Sequence, residues 1–232
     1  MCATCGCGGH SHGVESHGAE VVTLEQKVLA HNDEIAMSNR KRLESLGVGA
    51  VNLMSSPGSG KTTLVERTIQ DLGARRSIAV IEGDQETALD AERIRRTGVD
   101  VVQVNTGAGC HLDASMLDRA LDDLSPAPGS LLFVENVGNL VCPALFDLGE
   151  SGKVVIISVT EGTDKPLKYP YMFAAADLVV INKLDLLPYV DFDVDACRLH
   201  VASVNPAAEV VTVSATRGDG LTEWYGWLAR VN

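Results

Sequence analysis

The sequence predicts an α/β fold: a mostly parallel sheet of about seven strands, helices on both faces, and a flexible N-terminal tail. Three observations carry that prediction. Runs of Val, Ile and Leu recur from residue 50 with little polar alternation, as strands covered on both faces require. Amphipathic stretches of helical length separate the runs. The first run leads directly into SSPGSGKTT (55–63), a glycine-rich sequence poised between a strand and a helix. Together they describe a P-loop NTPase fold.

In chain order, residues 1–20 hold Cys, His, Gly and Ser with almost no apolar content, and read as a flexible metal-binding tail. Residues 21–48 form a second unit. Within it TLEQKVLAHNDEIAMSNRKRLESL (23–46) predicts a helix, with Thr23 and Gln26 as a capping box and Gly47 as its stop. Leu24, Val28, Ile35, Leu43 and Leu46 give it an incomplete apolar face, able to pack on the main domain or on another subunit. Residues 49–232 form the nucleotide-binding domain. Its strands are expected at 50–54, 77–81, 100–104, 130–135, 153–159, 177–182 and 209–214. Helices are expected at 62–72, 87–96, 113–123, 192–203 and 220–230.

Composition narrows the partners. Hydrophobic residues make up 45 % of the 232, enough for a buried core. The formal charge is −12, which argues against nucleic acid or an anionic membrane as the main partner. No run approaches the roughly 20 apolar residues of a membrane span, and no basic region precedes an apolar stretch at the N-terminus. A cytoplasmic location is therefore expected. Thiols stay reduced there, so the six cysteines suit metal ligation better than disulfides.

The phosphate loop has Ser55 where the usual pattern begins with glycine. Pro57, Gly58, Ser59 and Gly60 let backbone N–H groups wrap phosphates, followed by Lys61, Thr62 and Thr63 at a helix start. Lys61 should reach the β- and γ-phosphates, and the Thr62 hydroxyl should ligate Mg²⁺. The sixth run ends in NKLD. Asp185 can accept from guanine N1–H and N2–H, donors that adenine lacks, while Asn182 and Lys183 brace the base and the loop. Ser214, Ala215 and Thr216 follow the last run and can line the base pocket. GTP is the expected nucleotide. EGD (82–84) follows the second run: Asp84 is a candidate for Mg²⁺ or the attacking water, and Glu82 reads equally well as a solvated loop acid. ENVG (135–138) has the form of a DxxG switch with Glu135 in place of Asp, so that Gly138 would offer its N–H to the γ-phosphate. No arginine finger is evident, and turnover is expected to be slow.

Two groups of soft ligands stand apart from the nucleotide motifs. Cys2, Cys5 and Cys7, with the chain amine or a nearby histidine, make an S₃N set suited to tetrahedral Zn²⁺ or planar Ni²⁺. His10, His12 and His17 extend that site or merely raise non-specific affinity. Cys110 and His111 are adjacent before a predicted helix, whose N-terminus should lower the thiol pKa. Cys142 joins them if the third and fourth strands are neighbours. Cys197, His31 and His200 are single residues that read as core or surface.

The CxxCGC terminus, SSPGSGKTT, EGDQET, GCHLDA, ENVGNLVCP, NKLD and SAT together resemble the hydrogenase nickel-incorporation GTPases of the HypB family, over the whole chain. The resemblance implies a homodimeric GTPase that delivers Ni²⁺ during [NiFe]-hydrogenase maturation, using GTP and Mg²⁺. It implies a tight Ni²⁺ site at Cys2, Cys5 and Cys7, and a weaker Ni²⁺/Zn²⁺ site at Cys110, His111 and Cys142 near the dimer interface. The implied partners are a small zinc-containing nickel-binding companion and the hydrogenase large subunit. The rival readings are a urease-accessory nickel GTPase, or a non-catalytic nickel/zinc buffer whose GTP site is regulatory.

Overall fold

The structure, a computed structural model, describes residues 15–84, 89–107 and 109–231, with side chains from Gln26 onward. Seven strands alternate with helices: α1 (Glu15–Leu46), β1 (Gly49–Ser55), α2 (Lys61–Leu72), β2 (Ile78–Asp84), α3 (Leu89–Arg95) and β3 (Asp100–Asn105). They continue with α4 (Ala114–Leu124), β4 (Leu131–Gly138), β5 (Gly152–Ser158), α5 (Lys165–Lys168), α6 (Pro170–Ala174), β6 (Leu178–Asn182), α7 (Val194–Val204), β7 (Glu209–Thr212) and α8 (Leu221–Leu228). The sheet runs β3-β2-β4-β1-β5-β6-β7, and every neighbouring pair is parallel. All seven strands therefore deliver their C-terminal ends, and the loops that follow, to one edge of the sheet.

Alternation along each strand sends side chains to both faces, and helices cover both. Val51 and Leu53 meet Leu64 and Val65 of α2 and Leu221 and Trp224 of α8. On the other face Ala50 meets Leu43 of α1 and Leu117 and Leu121 of α4. Farther along that face Met54 joins Met172 and Phe173 of α6 and Cys197 and Val201 of α7. Trp224 stacks between Phe133 and Trp227, and its indole N–H donates to Thr68 Oγ1 at 2.9 Å, so the largest core ring leaves no polar atom unpaired.

Helix α1 differs from its sequence reading in two ways. It begins at Glu15, so Thr23 lies inside it rather than at its cap. The inward face is also not the apolar stripe expected. Val28 is 50 % exposed, whereas Asn32, Ala36, Asn39 and Leu43 are buried. The stop is as read: Gly47 has φ +63°, and Val48 N–H donates to Leu43 O at 3.0 Å. Of the two packing options, α1 lies on α4 and on the segment after β4 of its own chain.

Two motif placements also change. EGD and ENVG were expected after strands; both lie within them, since β2 runs to Asp84 and β4 to Gly138. Strands β3 and β4 are not neighbours, because β2 lies between them.

Candidate functional site

The phosphate loop turns between β1 and α2 through two glycines at positive φ, Gly58 at +75° and Gly60 at +98°. A Cβ on Gly60 would lie 2.6 Å from Asn182 Nδ2, so the loop closes against β6 only without a side chain. Asn182 Nδ2 donates to Ser59 O at 3.0 Å, and Lys183 Nζ donates to Gly58 O at 2.7 Å. Lys183 itself holds φ +61°, uncommon for a residue with a side chain and enforced here by the turn into Leu184. Lys61 Nζ donates to Ser55 Oγ at 2.8 Å, so the serine heading the loop parks the lysine. Burial pulls the Lys61 ammonium below its ordinary pKa, with Glu135 opposing. From below, Ser56 Oγ donates to Glu161, a residue sequence reasoning missed, which also accepts from Ser158 N–H at 2.9 Å.

A cleft of about 500 Å³ opens above the loop, walled by Pro57, Gly58, Gly60, Lys61, Thr62, Asp84, Glu135 and Gly138. A second, of about 240 Å³, adjoins it and is lined by Asn182, Lys183, Asp185, Ala215 and Thr216. Gly60, Thr63 and Lys183 wall both. The structure thus brings the phosphate motif and the base motif to one continuous groove. Asp185 is oriented by Ser214 Oγ, which donates to its Oδ1 at 2.6 Å and sits 3.2 Å from Thr216 Oγ1. Arg93 of α3 lines the phosphate cleft as well, held by Glu66 at 2.5 Å and Thr63 Oγ1 at 3.2 Å.

The acids converge at the strand ends. Thr62 Oγ1 donates to Glu135 Oε1 at 2.7 Å. Glu135 pairs in register with Glu82 of β2. Glu82 is 3 % exposed, so it is not the solvated loop acid the sequence allowed. Burial first, and the neighbouring Glu135 second, push its carboxyl up to about 8. Burial also raises Glu135, against Lys61 and the Thr62 hydrogen bond. One oxygen of each, Glu82 Oε2 and Glu135 Oε2, is buried without a hydrogen-bond partner. The orphaned Glu135 oxygen and the Thr62 hydroxyl, with Asp84 lining the same cleft, are a hard-oxygen set that fits Mg²⁺. Gly138 packs on the loop so tightly that a Cβ would come within 3.0 Å of Pro57 Cα.

About the β3 and β4 ends lies the second cluster. Cys110, His111 and Cys142 place one ligand atom each within 4.8 Å of one another, all three half-buried. Adjacent strands are not needed for this. In an all-parallel sheet the loops after β3 and β4 leave the same edge and meet across the end of β2. The expected pKa effect is reversed. Helix α4 is capped by Asp113, whose side chain accepts from Met116 N–H, so Cys110 stands outside its first turn. The neighbouring Cys142 thiol and burial raise the Cys110 pKa instead. Burial lowers that of His111, which favours the neutral, ligating imidazole. The His111 ring stacks on Phe146 at 3.9 Å. Two thiols and an imidazole suit Ni²⁺ or Zn²⁺. Cys197 is core, its thiol pushed up to about 11 by burial; His31 is exposed; His200 is 3.1 Å from Thr163 O. Cys2, Cys5 and Cys7 lie outside the described residues.

Residues 135–142 touch both clusters. Asn136 Oδ1 accepts from Leu112 N–H, next to His111, at 3.0 Å, and Asn139 Nδ2 donates to Cys110 O at 3.3 Å. Asn136 Nδ2 donates to Asn52 Oδ1 of β1 at 3.2 Å. Neither asparagine was singled out from sequence, though both sit between the switch-like glutamate and Cys142.

Comparison with known proteins identifies the family and the fold. The family model described as CobW/HypB/UreG, nucleotide-binding domain, matches residues 50–212. The hydrogenase maturation factor HypB of Azotobacter chroococcum is 59 % identical over 212 residues, 91 % of this chain and 70 % of that protein. Among solved structures, the HypB of Archaeoglobus fulgidus superposes with a TM-score of 0.81 at 43 % identity, covering 87 % of this chain and 98 % of that one. The HypB of Helicobacter pylori in complex with nickel gives a TM-score of 0.80 at 39 % identity, covering 86 % and 94 %. The chain belongs to the CobW/HypB/UreG family and, within it, to the hydrogenase maturation factors HypB.

Proposed function

We propose that the protein is a GTP-hydrolysing nickel metallochaperone of [NiFe]-hydrogenase maturation, working in the cytosol, whose nucleotide state sets its hold on the metal. One observation supports the reading: a single segment, 135–142, bears Glu135 and Gly138, which line the phosphate cleft, Cys142 of the thiol–imidazole group, and two asparagines bonded to the Cys110–Leu112 loop.

The nucleotide enters the continuous groove. Asp185, steered by Ser214, selects guanine, and Ala215 and Thr216 close the base pocket. Pro57, Gly58, Ser59 and Gly60 wrap the phosphates. Lys61 leaves Ser55 to reach the β- and γ-phosphates, and Thr63 follows them into the groove. Thr62, Asp84 and Glu135 would hold Mg²⁺, which would supply positive charge against that developing on the phosphates. Asp84 positions the attacking water, and Gly138 gives its N–H to the γ-phosphate. Turnover is slow because Arg93, the arginine lining the cleft, is engaged by Glu66. Movement at Gly138 is carried one and four residues along to Asn139 and Cys142.

The cargo is Ni²⁺, with Zn²⁺ as competitor at Cys110, His111 and Cys142, and a tighter Ni²⁺ site at Cys2, Cys5 and Cys7. The units are the tail 1–20, the helical segment 21–48 and the GTPase domain 49–232. The chain acts as a homodimer and passes metal through a zinc-containing nickel-binding companion to the hydrogenase large subunit.

Linkage tests the switch. If GTP alters Ni²⁺ affinity, Ni²⁺ must alter GTP affinity by the same factor. Equal GTP affinity with and without Ni²⁺ would sink the reading. Steady phosphate release, lost in Lys61→Ala and Asp84→Ala, separates an enzyme from a metal buffer, and Lys61→Ala should still bind Ni²⁺ at the tail.

A further inference from the structure

Helix α1 makes an unusual contact. Its inward face carries two asparagines two turns apart, Asn32 and Asn39, and each touches both of the segments that bear the clustered ligands. Asn32 Oδ1 accepts from Ala114 N–H at 2.9 Å, while its Nδ2 donates to Asp147 O at 2.8 Å. Asn39 Nδ2 donates to Ala114 O at 2.9 Å and to Leu148 O at 3.1 Å. Ala114 follows Cys110–His111 by one short turn, and Asp147 follows Cys142 through one 3-10 turn, Cys142–Leu145, and Phe146.

Helix-on-helix packing asks only for small or apolar side chains here. An asparagine that is 1 % exposed, as Asn39 is, is costly unless its amide has partners. Asn32 pairs the Ala114 N–H, which the first turn of α4 leaves without a helical partner, and both Nδ2 groups are spent on carbonyls at the start of α4 and in the loop after Cys142, while Asn39 Oδ1 stays buried without a partner. Further pins reinforce the loop side. Arg40 grips the Asp147 carboxylate with two bonds of 2.9 and 2.8 Å, and Gly149 lies so close that a Cβ would stand 2.4 Å from Ala36 O. Phe146, between these pins and Cys142, stacks on His111.

We propose that Asn32 and Asn39 of α1 are positioning residues for the Cys110/His111/Cys142 cluster, fixing the separation of its two ligand-bearing segments. The inference rests on the reading of those three residues as a metal site. It makes α1 part of the metal site without supplying a ligand. Supporting groups of this kind typically change metal affinity about 10–100-fold when removed.

The test uses the full chain with Cys2, Cys5 and Cys7 changed to Ser, so that only the domain cluster reports. Ni²⁺ is titrated against a competing chelator while the thiolate-to-nickel absorption band is followed. Asn32→Ala and Asn39→Ala should each weaken binding by about 10–100-fold and move the band. Thr68→Val, on the opposite face of the sheet, should lower Tm and leave both readouts unchanged. If Asn39→Ala does not fold, Arg40→Ala removes a half-exposed pin on Asp147 and should weaken binding in the same direction, with rescue by Arg40→Lys. Parent-like affinity and band in the asparagine variants, or in Arg40→Ala, overturn the proposal and leave α1 a packing element. Cys110→Ser decides the underlying reading separately: unchanged Ni²⁺ binding there means the cluster is not a metal site, whatever the asparagines do.

Discussion

Asn136→Ala tests the link between nucleotide and metal most directly. The side chain is buried between β1 and the Cys110–Leu112 loop. Its Oδ1 accepts from Leu112 N–H and Val137 N–H at 3.0 Å each, and its Nδ2 donates to Asn52 Oδ1 at 3.2 Å. Truncation leaves Leu112 N–H and Asn52 Oδ1 buried and unsatisfied. At about 1–3 kcal/mol for each orphaned group, the loss is about 2–6 kcal/mol. That is a large fraction of a typical domain's stability but usually not all of it, so the variant should fold at 25 °C. Denaturant unfolding should show a lower midpoint with an unchanged slope. Calorimetric titration of GTP with and without Ni²⁺ then reads the coupling, and the ratio of affinities should fall towards one. Asn136→Asp keeps both acceptor contacts, so it should retain more of the ratio while still losing stability. A variant that loses stability as expected yet keeps the full ratio refutes the route through Leu112. One that loses well under 1 kcal/mol refutes the energetics.

Three further outcomes are expected. Gly60→Ala puts a methyl 2.6 Å from Asn182 Nδ2 at φ +98°, and should weaken nucleotide binding at least tenfold in a fluorescent-nucleotide titration, at about 1–2 kcal/mol for the left-handed strain alone; parent-like affinity would mean the loop can relax. Asp185→Asn presents an amide donor to guanine N1–H and N2–H, and should cost GTP on the order of 100-fold or more while xanthosine triphosphate, with an acceptor at that position, is favoured; a parent-like GTP preference would place the base elsewhere. Glu82, raised from 4.5 to about 8 in the folded protein, holds its proton in the fold where the unfolded chain has lost it. Stability of the nucleotide-free protein should therefore fall as pH rises from about 4.5 to 8, by about 1.4 kcal/mol for each tenfold change in proton affinity. Glu82→Gln should flatten that slope and raise Tm most above pH 8; an unchanged slope would show that Glu82 ionises normally.

Much of the fold was legible because its signal is physical and local. Strands covered on both faces must be continuous runs of Val, Ile and Leu, and Val154–Ile157 or Leu178–Ile181 admit little else. The phosphate loop was legible because its glycines are needed for φ, and both proved to lie at positive values. Polar residues that are buried for a reason were not legible. Glu82 looked like the start of a loop because a charge usually ends a strand, yet it is core, facing Glu135. Asn32 and Asn39 count against an apolar stripe, so the buried face of α1 was read as incomplete when its polar members are among its most buried. Helices α5 and α6 are four and five residues long, too short for any periodicity to register. The meeting of Cys110, His111 and Cys142 was anticipated from ligand chemistry, while the route to it was misjudged. Strand adjacency is one way to join two loops, and a shared strand-end edge is another.

The size of the contacts sets what the nucleotide can do to the metal. Among the described residues, two asparagine hydrogen bonds join segment 135–142 to the Cys110–Leu112 loop, Asn136 to Leu112 and Asn139 to Cys110, apart from the contact between the two thiols themselves. A net hydrogen bond is worth about 1 kcal/mol, so making or breaking both shifts the cluster by about 2 kcal/mol. That lies within the usual range of coupling energies and corresponds to about a 30-fold change in affinity. It is enough to tip a metal between two sites of similar strength. It is not enough to expel a metal held by two thiolates and an imidazole into water. If this route carries the coupling, hydrolysis alone cannot complete release. The acceptor must offer ligands of comparable softness at close range, so transfer proceeds by ligand exchange rather than by way of the free ion. Release rates should then rise with the concentration of a thiol- or imidazole-bearing acceptor in the GDP state. A release rate independent of acceptor concentration would show that the nucleotide moves more of the structure than these two bonds.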